Sequence, residues 1–364
     1  MRLSRLVFYC LYRFPLTHTL HTGTIKYFDA WHTTRSGEPL KLPNVVCCHE
    51  QDDGILWKHT NFRTGNAVVA RSRILVLQTI ITVSNYEYIF AFHFCQDASI
   101  FYEVRATGIL STVPTNINPN TTTPYGTNVA PGVLAPYHQH LFCLRIDPAI
   151  DGQNNSVSIE ESTPMPLDEH NPFGVGYVTK SHYIEQEGAF DLDFTTARTF
   201  KFVNEATVNP ITNTPVAYKL LPFYSQMLLA GAHSFHAQRA EYGAHAVWVT
   251  RYKDDELFPA GKYTMQSGGG EGIASAIRSR AAVGDQHAVR NKDVVVWHTF
   301  GSTHNPRIED WPVMPSERMV VGLKPVNFFT GNPGLDVKPS TQEGNGSVLY
   351  VGEDGGARRG ASRL

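Results

Sequence analysis

The sequence has 364 residues, 42% hydrophobic and 18% charged, with 31 Lys and Arg against 33 Asp and Glu for a formal charge of -2. That composition suits a folded chain with material for one large domain or two of medium size, and it excludes an intrinsically disordered one. Near-neutral charge without a basic stripe argues against nucleic acid as a partner, and no apolar run is long enough to cross a bilayer.

The N-terminus, MRLSRLVFYCLYRFPLTHTL, opens with two arginines and an apolar patch. Tyr12 and Arg13 break the patch and no small-residue cleavage site follows, so it does not read as a secretory signal. Strand signals then dominate: β-branched or aromatic runs at 74–83, 88–94, 99–110, 141–146, 245–252 and 293–300. Turn-rich pieces at 118–128 and 147–155 separate some of them. With 29 Gly and 22 Pro there is little room for long helices; 224–246, interrupted by glycine, and 272–284 are the two candidates. The pattern predicts a mainly β chain, a large antiparallel β-sandwich with few short helices.

Three other features are read along the way. The Gly-rich QSGGGEG at 266–272 lacks the Lys-Ser/Thr and the βαβ setting of a phosphate-binding loop and reads as a surface loop. The five cysteines (Cys10, Cys47, Cys48, Cys95, Cys143) are odd in number without C-x-x-C spacing, which argues against a disulfide framework or zinc ribbon. A Gly-rich tail over 340–364 is expected to be disordered and ends in Ser362-Arg363-Leu364, similar to the tripeptide bound by the peroxisomal import receptor. That ending predicts a peroxisomal protein, or a cytoplasmic one if the signal is not read.

Two stretches carry chemistry. His138-Gln139-His140 precedes a strand, and alternate strand residues share a face roughly 6.6 Å apart, so both imidazoles can converge on one ion. A third ligand is offered by His298 inside the 293–300 strand or by His304 in the Gly/Ser/Thr-rich segment after it; His304 is preferred because a loop side chain can be aimed. Three neutral imidazoles suit copper(II) or zinc, and the spacing does not choose between them. The second stretch is TVSNYEYIF, 82–90, which puts two phenols, an amide and a carboxylate into a strand-like run. A buried tyrosine is ordinarily structural, but beside a copper ion a phenolate can be activated for oxidation by O2.

On these residues the chain resembles the catalytic domain of copper-containing primary amine oxidases, of the fungal peroxisomal kind. Thr82-Val83-Ser84-Asn85-Tyr86-Glu87-Tyr88 matches the family's cofactor motif, and His304-Asn305-Pro306-Arg307-Ile308-Glu309-Asp310 matches its distal His-x-Pro-x-x-Glu-Asp motif. The resemblance runs over 23–339 and leaves 1–22 unlike the family. It implies that Tyr86 is the precursor of topaquinone, that Asn85 orients the cofactor ring, and that Glu87 makes a supporting hydrogen bond. Copper(II) would be held by His138, His140 and His304, and a second, non-catalytic Ca2+ or Mn2+ by Asp147 and Asp293. It further implies a homodimer that uses O2 to convert primary amines to aldehyde, ammonia and hydrogen peroxide.

The departures from the family are at the N-terminal side. A catalytic aspartate upstream of the cofactor tyrosine has no counterpart here, and the cysteine partner of Cys47 is replaced by His21. Since a positioned general base contributes roughly 10²- to 10⁴-fold, impaired turnover is expected. The alternative is a non-catalytic copper-binding or dimer-partner fragment.

Overall fold

The computed structural model describes residues 25–117, 123–262, 267–283 and 287–340. The N-terminal stretch with Cys10 and His21, and the end of the tail with Ser362-Arg363-Leu364, lie outside the described residues. The chain divides into a larger unit, Ile81–Ile89 with Phe101–Thr330, and a smaller one whose described residues are 25–80, Phe90–Ile100 and 331–340.

The smaller unit is a meander of β1 (Ile25–Thr33), β2 (Pro39–Thr60) and the greater part of β3 (Ala67–Val83), together with the second half of β4 (Tyr86–Cys95). β3 shows why the segment is a strand: Ala70, Ser72, Ile74 and Val76 are buried, while Arg71, Arg73 and Leu75 between them face outward. This period of two buries one face only. Ile74 and Val76 pack with Ala91 of β4 and with Cys95. On the outer face Arg71 pairs with Asp52, and Arg73 with Glu50 at 2.8 Å. Such exposed pairs add little to stability. The Trp57 indole N–H donates to the Gly334 carbonyl at 2.9 Å, anchoring the 331–340 segment. Cys48 and, in the larger unit, Cys143 carry free thiols.

The larger unit contains three sheets. Its remaining strands are β5 (Ile100–Gly108), β6 (Val113–Pro114), β7 (Gly126–Ala130), β8 (Val133–Pro136), β9 (His138–Ile146), β10 (Ser156–Pro164), β11 (Tyr177–Tyr183), β12 (Gly188–Phe190), β13 (Thr199–Val208), β14 (Pro215–Leu221), β15 (Val247–Arg251), β16 (Val294–His304) and β17 (Met314–Val326). One sheet runs β5-β17-β14-β13-β10-β11, a second β12-β15-β16-β9 and a third β6-β8-β7. The first two face each other: Phe200 of β13 meets Phe190 of β12 with ring centroids 6.3 Å apart, and Tyr88 at the start of β4 meets Phe142 of β9 at 5.6 Å. The antiparallel sandwich expected from the strand pattern is thus present in this unit.

The two candidate helices fare differently. α1 (Phe235–Arg239), followed by a 3-10 turn at Glu241–Ala244, is all the regular helix that 224–246 contains. The rest spends its backbone hydrogen bonds elsewhere: Leu228 N–H donates to Gly243 and Leu229 N–H to the Gln139 side chain. α2 (Ile273–Ala281) forms as expected and buries Ile273 and Ala274 against Trp248 and Trp297. The described part of the Gly-rich segment, 267–272, is a surface loop, and it passes so near the chain at 238 that a Cβ on Gly269 would stand 2.3 Å from the Gln238 carbonyl.

β16 reads as an unbroken apolar run because both its faces are covered; residues 294–301 are all buried. His298 lies among them and is a structural histidine. Its Nδ1–H donates to the Ala246 carbonyl at 2.9 Å and its Nε2 accepts the Phe223 N–H at 3.2 Å. Burial pushes its pKa down to about 4. Because the folded value lies below the unfolded one near 6.5, the stabilisation is complete above the unfolded value and is lost as pH falls toward the folded one, where the unfolded chain takes up the proton first. Urea midpoints of the metal-free protein across that window are expected to fall more steeply for the wild type than for His298→Gln, by about 3 kcal/mol in total.

Candidate metal centre

β9 and β16 pair so that His304 stands directly opposite His138, and Ser302 opposite His140. Opposed residues hold their Cβ atoms about 5 Å apart, and His140, two positions on from His138, shares its face. Ring centroids of His138 with His140 and of His138 with His304 are each 4.8 Å apart. One candidate ligand atom from each of the three lies within 4.8 Å of the others, the group of this kind among the described residues. Gln139, between the two ligand positions, points the other way and is tied down by Thr303, Met227 and Leu229.

Each ring turns one nitrogen to an outer partner and the other toward the other two rings. His138 Nδ1–H donates to the Pro136 carbonyl at 2.8 Å, which leaves Nε2 with its lone pair. His304 Nε2 faces the Asp310 carboxylate at 3.4 Å, which leaves Nδ1. His140 Nδ1 lies 2.6 Å from the Tyr88 hydroxyl, and its Nε2 is buried without a hydrogen-bond partner. Such partners fix the tautomer and direction of metal-binding imidazoles. His138 Nε2 and His304 Nδ1 are 3.3 Å apart. Two lone pairs so placed repel unless a cation lies between them, and nitrogens at about 2.0 Å from one ion stand roughly 2.8 to 3.3 Å from each other. The orphaned His140 Nε2 and this approach fit a bound metal ion.

The electrostatics agree. Burial, reinforced by the neighbouring imidazoles, lowers the pKa of His140 to about 4, and burial likewise lowers that of His138. Neutral rings are the form that ligates. Burial alone raises a carboxyl pKa, yet Asp310 is held below its ordinary value by hydrogen bonds from the Arg307 side chain and backbone and from His304. It therefore remains a carboxylate acceptor for His304. Burial and then the neighbouring Tyr86 push Tyr88 up to about 12, so its hydroxyl stays protonated.

Tyr86 opens β4 and is buried beside the triad. Its hydroxyl lies 3.0 Å from His138 Nε2, to which it donates, and accepts the Ser111 backbone N–H at 3.1 Å. Its ring centroid is 5.6 Å from that of His138 and 5.0 Å from that of His140. The period of two explains the odd composition of 82–90: Tyr86 and Tyr88 share the face that meets the three histidines, while Glu87 turns away and accepts from Thr82 Oγ1 at 2.7 Å. Asn85 is not in a strand. It occupies the turn between β3 and β4 beside Ser84 (φ 59°), its side chain exposed and its carbonyl accepting the Ile109 N–H.

Asp147 and Asp293 lie away from the triad. Asp147 pairs with Arg145 at 3.1 Å, and one buried Asp293 oxygen has no hydrogen-bond partner. Burial, then the charge of Asp147, raises the Asp293 pKa, so the two carboxylates sense each other. Sequence reasoning assigned no role to Asp310, Tyr88 or Ser111. The first two sit inside the quoted motifs, whereas nothing local marks Ser111.

Residues 15–344 match the family model "Copper amine oxidase, enzyme domain". Among curated proteins the chain is 51% identical over 334 residues to Copper amine oxidase 1 of Aspergillus niger, covering 91% of this chain and 48% of that protein. It is 40% identical over 326 residues to the peroxisomal primary amine oxidase of Pichia angusta, covering 87% and 46%. A crystal structure of a copper-containing benzylamine oxidase from Hansenula polymorpha superposes with a TM-score of 0.85 at 44% identity, covering 90% of this chain and 51% of that one. The chain thus spans about half the length of the relatives it matches.

Proposed function

Because this chain belongs to the copper amine oxidase family, we propose that it carries the cofactor-bearing part of a primary-amine oxidase, with His138, His140 and His304 holding copper and Tyr86 as the source of topaquinone. The observation that carries this reading is the convergence of three imidazole nitrogens beside the Tyr86 hydroxyl, 3.0 Å from His138 Nε2. Copper held there would supply the redox chemistry by which O2 oxidises the Tyr86 ring to a quinone; that carbonyl group would take two electrons from a primary amine, with water releasing the aldehyde and ammonia and a further O2 taking the electrons as hydrogen peroxide.

The protein's own part is positional. Pro136, Tyr88 and Asp310 hold the three rings with their ligating atoms inward. In the metal-free chain the Tyr86 hydroxyl donates to His138 Nε2, the position a metal would take, and burial lowers the pKa of His138 and His140 and so favours the neutral rings that ligate. The enzyme domain is assigned to 23–339, with Asn85 next to the cofactor in the turn. Asp147 and Asp293 are proposed for a second cation that prefers oxygen ligands, Ca2+ or Mn2+; the unpartnered buried oxygen of Asp293 supports this. A homodimer and peroxisomal import through Ser362-Arg363-Leu364 complete the reading, the latter supported by the peroxisomal relative.

Purified protein loaded with copper and oxygen tests the proposal. Phenylhydrazine titration should reveal a carbonyl cofactor, and methylamine or benzylamine should elicit peroxide. Copper uptake with neither product would favour the non-catalytic copper-binding reading instead.

A further inference from the structure

We infer that residues 108–111, the segment leaving β5, form a backbone clamp that positions Tyr86 at both ends of its side chain; the inference rests on the reading of Tyr86 given above. At the near end, Gly108 adopts φ 107°, a conformation that side chains disfavour. A Cβ there would lie 2.4 Å from the Asn85 carbonyl oxygen and 2.9 Å from both Tyr86 Cα and Glu87 N. The close approach lets the Ile109 N–H reach the Asn85 carbonyl at 2.8 Å. Leu110, 2% exposed, fastens the segment into the core. At the far end the Ser111 N–H donates to the Tyr86 hydroxyl oxygen at 3.1 Å.

Two main-chain groups of one short segment therefore grip the tyrosine, one at the carbonyl preceding its Cα and one at its phenol oxygen. The grip has a chemical consequence. In the metal-free chain the hydroxyl has two polar partners, Ser111 N–H as donor and His138 Nε2 as acceptor. Once a metal occupies His138 Nε2, that nitrogen can no longer accept the Tyr86 proton, and the Ser111 amide is the partner that stays. A backbone donor needs no side-chain rotamer to be in place, so the oxygen keeps its direction.

The test separates clamp from scaffold. In the metal-free chain, amide hydrogen exchange at Ser111 should be about fivefold faster in Tyr86→Phe than in wild type, the effect of one lost hydrogen bond. In copper-loaded protein Gly108→Ala should bind copper at wild-type stoichiometry yet form the carbonyl cofactor about 10²-fold more slowly, as a displacement of order 1 Å commonly costs. Ser111→Ala, which keeps the N–H, should form it at the wild-type rate, and Ser111→Pro, which removes the N–H, about fivefold more slowly. Unchanged Ser111 exchange, wild-type maturation in Gly108→Ala, or copper loss in either slow variant would overturn the clamp. Should Gly108→Ala fail to fold, the Ser111 pair and the exchange measurement decide. A wild-type chain that takes up copper and never matures would refute the function proposed above, while the exchange comparison would still judge the clamp.

Discussion

His140→Leu is expected to cut copper affinity by about 10²- to 10³-fold, a quarter share of the roughly 10 to 16 kcal/mol with which a four-ligand site binds its metal. The same change should leave the metal-free protein within about 1 kcal/mol of wild type. Wild-type His140 buries a nitrogen with no hydrogen-bond partner, a defect worth about 1 to 3 kcal/mol that leucine removes. Leucine also deprives the Tyr88 hydroxyl of a 2.6 Å contact, and the two effects roughly offset. Competition with a graded chelator measures the first quantity and urea unfolding of the apo-protein the second. A histidine retained only for packing behaves in the opposite sense, as His298 with both nitrogens satisfied should: stability falls and copper binding does not.

Tyr86→Phe is expected to give a different division of effects. Copper should load at the wild-type ratio, since none of the three imidazoles depends on the phenol for its tautomer. The phenylhydrazine-reactive carbonyl should be absent and amine-dependent peroxide should fall to background. The ring keeps its contacts with His138 and His140, so the loss of one hydroxyl costs about 1 kcal/mol of stability. A persistent carbonyl would point to Tyr88, the other phenol on that face. Its protonated hydroxyl on His140 makes it the poorer candidate.

The residues that could be found in the sequence were those whose spacing carries the geometry. His138 and His140 are two apart on a strand, and that alone gives a shared face. His304 could be preferred over His298 only as a loop residue, whereas it is the last residue of β16: residue 304 opposes residue 138, and residue 298 opposes Leu144, deep in the sheet. Asp310 and Tyr88 lay within recognised motifs, but the hydrogen bond that gives each its part joins groups whose approach depends on the fold. Gly108 and Ser111 were silent because a glycine and a serine after a strand are unremarkable until the chain they touch is known. The turn at Ser84 and Asn85 was hidden inside an apolar run that continues on both sides of it. The division into two units was hidden too, because β3 and β4 each contribute residues to both.

The pairing of β9 with β16 also makes the metal a counter of correctly zippered molecules. Sliding one strand past the other by a single residue would turn one imidazole to the far side of the sheet and dismantle the donor set. Mis-aligned chains with near-native secondary structure would pass unnoticed in circular dichroism. Bound copper per polypeptide would therefore measure the share of a refolded batch that has closed this ladder in the right alignment.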